Sequence, residues 1–402
     1  MFRYIIKRTL IILPTIWIIS VVAFLLSKAV PQDPTISILN NRGISESTNK
    51  EYRSVYTELK LNLPNFYFAI TPHYYPDNIN AISDRIIRTE VNEALKNKYH
   101  WQDISQIIES RDYKIGQLSQ ILRKQHTPVG IYFPKWIWYG SNNQYHNWLF
   151  SFFDSTSLID GKSSLSKVGT ALQWTLSITL VDLVLSIFLS FLLGYYFVKN
   201  ENSRFLKFLN QGLYLFYSIP IFWLATLLVV YLTTDDYGSW TNIFPSVGID
   251  IYPGKSTTYH ILHNIDKLLL PILCLTITSL AYSTRFIRRS LSDEMQKPYI
   301  QTAYAKGIDR EIIIKKHALR NALMPMITII VSAMANAFAG SLLLEVIFNI
   351  PGIGRLLFNS IGHTDWNVVF SIVMVIALVT TVIYLIGDIL YAIANPKIRY
   401  DA

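Results

Sequence analysis

Few residues in this 402-residue chain could do chemistry, and their spacing removes most of the options. Asp182 and Asp388 stand inside long apolar stretches. A carboxylate there is costly and by default marks a proton or ion path. Asp182 has no embedded base as partner, and Asp388 falls near the end of its stretch, so structural roles are favoured for both. Glu345 sits at the end of another apolar stretch, beside a Pro-Gly turn, and is expected to be interfacial. His317 is surrounded by Lys316 and Arg320, with no second His, Cys or carboxylate at metal spacing, so it reads as a loop histidine. Cys274 is the single cysteine, which excludes an intrachain disulfide. Two Gly-Lys-Ser fragments begin at Gly161 and Gly254. A phosphate-wrapping loop needs a second glycine five residues earlier, and Thr156 and Ile249 occupy those places. No catalytic set, cofactor or metal is therefore expected, and the chain does not read as an enzyme.

The elements around these residues are apolar blocks. The chain is 51% hydrophobic and only 16% charged, too apolar for an ordinary soluble domain. A membrane-spanning helix needs roughly 20 apolar residues. Six blocks qualify: 9–27, 168–198, 208–234 with Pro220 at its centre, a short 268–284, 321–344 and 366–387. The first begins after Arg3, Lys7 and Arg8 and shows no small-residue cleavage site, so it reads as an uncleaved span. The expected fold class is an all-α polytopic membrane protein of six transmembrane helices, with a helical extracytoplasmic insertion between the first two.

The net charge of +9 does not point to nucleic acid, because Lys and Arg cluster beside the blocks. Basic residues crowd the N-terminus, the connection after the second block (Lys199, Arg204, Lys207), the segment after the fourth, and the C-terminal tail. The segments 235–266 and 346–365 carry only Lys255 and Arg355. Both termini are therefore expected in the cytoplasm, and 31–167 outside. Three parts follow: 1–30 with the first span, the extracytoplasmic segment 31–167, and a five-helix core 168–402 containing a cytoplasmic loop at 285–325. Within the outer segment, Ile79, Ile82, Ile86, Ile87, Val91 and Leu95 recur at helical spacing. So do Trp101, Ile104, Ile107 and Ile108, and then Ile115, Leu118, Ile121 and Leu122.

The loop holds the most specific signal, MQKPYIQTAYAKGIDREIIIKKHALRNALMPMITII at 295–330, bracketed by Pro298 and Pro325. Ala303 and Gly307 are four apart, which on a helix places them on one face that another protein could approach closely. Arg285, Arg288 and Arg289 precede it at helical spacing, and plain positive-inside anchoring is favoured over docking.

This loop resembles the ATPase-coupling loop of ATP-binding-cassette import permeases, with Ala303, Ala305, Gly307, Leu323 and Pro325 at the matching places. The whole chain is similar to the first permease subunit of oligopeptide and dipeptide importers. The start RYIIKRTLIILPTIWIISVVAFLL matches, as does the turn at Glu345, Pro351, Gly352 and Gly354, expected outside the cytoplasm. The ending DILYAIANPKIRY also matches, with Asn395 where the family usually has Asp. Departures are Gln301 and Tyr304 where Arg is usual, and an insertion at 67–143. The resemblance implies peptide translocation across a bacterial cytoplasmic (inner) membrane, driven by two separate cytoplasmic ATPase subunits. It also implies a second homologous permease, an extracytoplasmic substrate-binding protein and surrounding membrane lipid. The alternative reading is a proton-coupled secondary transporter using Asp182 or Asp388.

Overall fold

The computed structural model describes residues 2–29, 33–44, 48–71, 77–96, 134–238 and 241–394. The two helical repeats within 101–122 and the part of the C-terminal match from Asn395 onward lie outside these residues. The chain divides into two compact units, one of Met1–Ile19, Ser164–Gly362 and Val368–Ala402, the other of Ser20–Ser163 and His363–Asn367.

Helix α1 (Phe2–Ala29) opens the chain, and its part from Ser20 onward belongs to the second unit. There α2 (Pro34–Asn41) starts where the Asp33 carboxylate accepts from the Thr35 amide, and α3 (Asn49–Glu58) starts at a Thr48/Glu51 capping box. Ile38, Leu39, Tyr52, Val55 and Tyr56 bury their side chains between them. Strand β1 (Phe68–Thr71) follows. The isoleucine repeat turns helical later than its spacing suggests. Ile79–Ala81 is a single 3-10 turn, and α4 (Arg85–Lys96) begins where Asp84 takes the amides of Ile86 and Ile87. Strand β2 (Lys135–Trp138) pairs antiparallel with β1, with Phe68 opposite Trp138 and Ile70 opposite Trp136. The insertion is thus not wholly helical: its aromatic run alternates with period two and forms one strand of a ribbon. Helix α5 (Gln144–Phe150) closes this part.

The first unit carries the remaining spans. Helix α6 (Ser164–Lys199) is the longest. The expected third span does not run straight through Pro220. It breaks into α7 (Arg204–Ser218) and α8 (Ile221–Leu232), bent by 102°. The cause is local, since proline removes a backbone donor and pushes the preceding residue out of the helical region. Ile219 is extended at φ −83°, ψ 125°. After α9 (Thr257–His263), the fourth span is a 31-residue helix, α10 (Ile265–Met295), which extends the apolar block 268–284 at both ends. Then come α11 (Pro298–Ala305), α12 (Arg310–Ile312), a π-helical turn (Ile313–Ala318) and α13 (Leu319–Ala339). The fifth span ends at Ala339, five residues before the expected 344, where Gly340 takes φ +75°, and α14 (Leu342–Ile347), α15 (Ile353–Gly362) and α16 (Trp366–Ala394) follow. Among the described residues four helices are long and apolar enough to cross a membrane, or up to six if each bent pair is one span.

Helix α6 packs along α10 through Asp182, Ser186, Ser190 and Gly194, buried and spaced four apart. Small and hydroxyl side chains let membrane helices approach and bond across the seam. A Cβ on Gly194 would stand 2.6 Å from Cγ2 of Ile287 on α10, and the Thr284 hydroxyl donates to that of Ser190 at 3.2 Å. Above this seam Trp174, Ile178, Leu224, Ala225, Leu268, Cys274, Leu344 and Ile350 form the largest apolar core of the unit.

Candidate functional site

The segment 295–330 is built on a small core of its own. Helix α11 starts with Pro298 in its first turn, where a missing amide costs nothing. It ends in a Schellman motif: the Gly307 amide donates to Tyr304 O at 2.9 Å, and the Ile308 amide to Ala303 O at 3.3 Å. Gly307 takes φ +75°, a left-handed conformation that favours glycine. Ala303 is buried with Ile300, Ile313 and Ala318, and Ile308 packs against them. The expectation that Ala303 and Gly307 share one helix face therefore fails. The helix stops at Ala305, Gly307 is its terminal turn, and Ala303 faces inward because the loop must bury its own isoleucines. Gln301, Thr302, Tyr304, Ala305, Lys306 and Gly307 form the exposed side. Pro325 lies inside α13, where the helix pair around it bends by 56°, and Leu323 lies on the same helix.

Polar bonds tie this segment to three long helices. At the foot of α10, Glu294 is buried and receives Lys297 Nζ at 2.6 Å and the Tyr299 hydroxyl at 2.5 Å. Asn321 on α13 donates to that hydroxyl at 2.9 Å. Glu311 receives Lys199 Nζ, from the end of α6, at 2.5 Å and Lys315 Nζ at 2.7 Å. Arg310 donates to Val198 O at 2.9 Å. Below them Val198, Ile287, Leu291, Ile314, Ala322 and Met326 form one apolar cluster. Arg285 lies over Tyr214 and Tyr217 of α7, and Arg288 over Phe197, while Arg289 stays exposed beside Asp293. His317 falls in the π-helical turn, closed by a Leu319 amide reaching Ile314 O. Such turns insert one extra residue per helix turn and recur at functional sites. No pattern of residue types announced it.

The second site is the turn after α14. Glu345 is fully buried within the protein. Its Oε1 accepts from the Thr175 hydroxyl at 2.8 Å, and its Oε2 from the Arg355 amide at 3.1 Å. The Ile353 amide donates to the same Thr175 hydroxyl at 2.8 Å. Ile353 and Arg355 open α15, so a carboxylate and a hydroxyl satisfy donors that a helix start leaves unpaired, at its positive end. Three glycines surround the carboxylate. A Cβ on Gly340 would lie 2.8 Å from Oε1, one on Gly352 2.5 Å from Cδ, and one on Gly354 2.5 Å from the Leu342 backbone. Pro351 leads into this turn. Thr175 and Gly340 escaped the sequence reading. Gly340, ending an apolar run, carried a detectable stop signal; Thr175 carried none.

The embedded carboxylates are structural neighbours of hydroxyls. Asp182 Oδ2 accepts from Ser279 of α10 at 3.0 Å. Asp388 sits on α16, one turn from the Tyr391 hydroxyl, which bonds Thr328 of α13.

Comparison with known proteins places this geometry in context. Residues 170–400 match the family described as binding-protein-dependent transport system inner membrane component. The chain is 32% identical over 270 residues to the oligopeptide transport system permease protein AppB of Bacillus subtilis (strain 168), covering 65% of this chain and 83% of the relative. It is 31% identical over 285 residues to the dipeptide transport system permease protein DppB of Alkalihalophilus pseudofirmus, covering 68% and 84%. The metal-staphylopine import system permease protein CntB of Staphylococcus aureus (strain NCTC 8325 / PS 47) is 24% identical over 405 residues, covering 100% of both chains.

Proposed function

The chain belongs to the binding-protein-dependent transport system inner membrane component family, a membrane permease subunit of an ATP-binding-cassette importer, and from that premise we propose that it translocates peptides. In this reading it pairs with a second homologous permease to enclose the path. Two cytoplasmic ATPase subunits dock on 285–325, and an extracytoplasmic binding protein delivers the cargo. Both termini face the cytoplasm of a bacterial inner membrane. The chain makes and breaks no covalent bond.

One observation carries the docking assignment: α11 exposes one side while its other side packs on Ile313 and Ala318 and is hydrogen-bonded to the ends of α10 and α13, and the adjoining α12 is bonded to the end of α6. A push on that helix cannot be absorbed locally, because displacing it would open a fully buried isoleucine core. The movement passes to three spans as rigid bodies. Ala303 and Gly307 then serve by shaping α11, while Ala305 stands on its exposed side. Pro325 sets the bend through which α13 receives the push. At the other end, the Glu345, Pro351, Gly352 and Gly354 turn fixes α14 to α15 and α6, so that the extracytoplasmic end moves with them.

The test is reconstitution of the purified complex in proteoliposomes with ATP inside and the binding protein outside. Uptake of a labelled peptide that depends on both supports the reading. Uptake that continues without the ATPase subunits, or no peptide uptake with all subunits present, overturns it. A second reading of the cargo, a metal chelate, rests on the full-length match to the metal-staphylopine permease, which spans residues 67–143 as well. Competition between a peptide and a chelated metal in the same assay separates the two.

A further inference from the structure

The ribbon of the outer unit presents an apolar face to its surroundings. Phe68, Ile70, Trp136 and Trp138 alternate onto one side of the two strands and are all exposed, Trp136 at 63% and Trp138 at 66%. The charge beside them is turned away, since Lys135 points with the other side and pairs with Asp77 at 2.7 Å. Large contiguous apolar faces of this kind mark a protein or a membrane contact.

Three relationships within this unit decide between those occupants. First, α5, which follows the ribbon, is bonded along the outer end of α1. Gln144 Oε1 accepts from Lys28 Nζ at 2.5 Å, and the Tyr145 and Ser20 hydroxyls share a 2.6 Å hydrogen bond. Ser20 lies eight residues below Lys28, or about 12 Å along the helix at 1.5 Å per residue. Since Leu10–Ala29 is the apolar span, α5 runs along its second half, from near its middle at Ser20 to the end at Lys28 where the span leaves the hydrocarbon. Second, aromatic rings run without a break from the span to the ribbon. Phe24 meets Tyr145 at 5.4 Å, Tyr145 meets Phe66 at 5.0 Å, Phe66 meets Phe68 at 5.6 Å, and Phe68 stacks on Trp136 at 4.9 Å. Tyr67 joins Tyr145 to Trp138 in parallel. Third, Phe150 at the end of α5 and Phe153 just beyond it are also exposed. Trp and Tyr concentrate at bilayer interfaces, where an amphipathic ring is matched to one apolar and one wet side.

We propose that the β1–β2 ribbon and the end of α5 form an interfacial anchor that embeds Trp136, Trp138, Phe68 and Phe150 in the outer leaflet beside α1. The anchor holds the inserted segment against the bilayer. The inference rests on α1 as a span and not on the cargo.

The test uses the full chain in lipid bilayers, with Cys274→Ser as background and a nitroxide on Trp138→Cys or Trp136→Cys. Leu13→Cys supplies the lipid reference and Glu58→Cys the aqueous one; both sites are exposed. Collision with oxygen is compared with collision with a water-soluble nickel chelate. The expected result is that labels at 136 and 138 group with position 13. Grouping with position 58 overturns the proposal, and so does shielding that develops only when the extracytoplasmic binding protein is added. An aqueous result at position 13 would instead overturn the span itself. A second measurement avoids the label: in the complete complex, Trp136→Phe with Trp138→Phe should reduce the share of tryptophan emission quenched by lipids brominated at shallow acyl positions. Unchanged quenching would contradict the anchor.

Discussion

The hydroxyl of Thr175 on α6 donates to the carboxylate of Glu345 on α14 at 2.8 Å, across 170 residues of sequence, and at the same time accepts from the first amide of α15. One side chain thereby locks three helices at the turn. Replacing Thr175 by Val keeps the shape, leaves the Ile353 amide without its partner and takes one hydrogen bond from the carboxylate. An unmet buried polar group costs about 1–3 kcal/mol. We expect Thr175→Val to lower the thermal unfolding midpoint of the purified complex, whereas Thr175→Ser should retain it. Equal midpoints for Val and Ser would refute this role of the hydroxyl.

The glycine socket makes a sharper demand. Gly352→Ala would place a methyl 2.5 Å from Glu345 Cδ and 2.6 Å from the Thr175 hydroxyl, where nothing can occupy space without displacing the carboxylate. Gly362→Ala meets nothing within 4 Å. The expected outcome is loss of folded yield and uptake for the first variant and none for the second. Normal uptake by Gly352→Ala would show that the socket is not required.

At Gly307 steric room and conformation separate. A Cβ there meets nothing within 4 Å, yet φ is +75°. Asn tolerates this conformation far better than most residues, and left-handed backbone costs others about 1–2 kcal/mol. Gly307→Asn should keep ATP-driven uptake close to normal. Gly307→Trp should leave the protein inserted and abolish coupling, read as ATPase activity no longer stimulated by cargo. Stimulated ATPase with Trp at 307 would remove α11 from the docking surface.

Burial and ion pairing can be ranked in the same segment. Ile313 is fully buried, and truncating such a residue costs about 2–5 kcal/mol. The Glu311 pairs with Lys199 and Lys315 are more than a third exposed on the carboxylate side, where solvent screens the attraction strongly. Ile313→Ala should therefore weaken assembly with the ATPase much more than Glu311→Gln, measured by co-purification. The reverse order would mean that charge, not packing, holds the segment.

In the outer unit, burial raises the Asp84 carboxyl, but Arg53 and the amides of Ile87 and Ile86 outweigh it and hold the carboxyl below its usual range. A depressed carboxylate stabilises the fold above its unfolded value, near 3.8, and that contribution disappears as pH falls through the lower folded value. The cap also starts α4. Asp84→Ala should cost about 0.5–2 kcal/mol at neutral pH. The difference from wild type should shrink on acidification below about pH 4, as followed by proteolytic nicking of this unit. A difference constant down to pH 2 would exclude the charge as its source.

How far the sequence was readable depended on whether the deciding interaction was local. The blocks at 168–198 and 366–387 were legible because a bilayer demands length and apolarity, both of which are written consecutively. Pro220 was noticed, but whether a proline bends or breaks a span depends on what supports the freed backbone, and here the chain turns by 102°. The ribbon was missed since an aromatic strand needs a partner to be recognised, and Phe68 pairs with Trp138 seventy residues on.

The sequence by itself determined where apolar stretches run, which segments carry the positive charge, and where Pro298 and Gly307 start and stop the short helix between them. It did so because hydrophobicity, charge and the backbone limits of Pro and Gly act within a few residues. Only the tertiary structure decided which way Ala303 faces and that Glu345 is buried in a socket of three glycines. Helical spacing fixes which residues share a face, but not which face finds a neighbour. Burial of Ala303 by Ile313 and of Glu345 by Thr175 is settled by packing between elements distant in sequence.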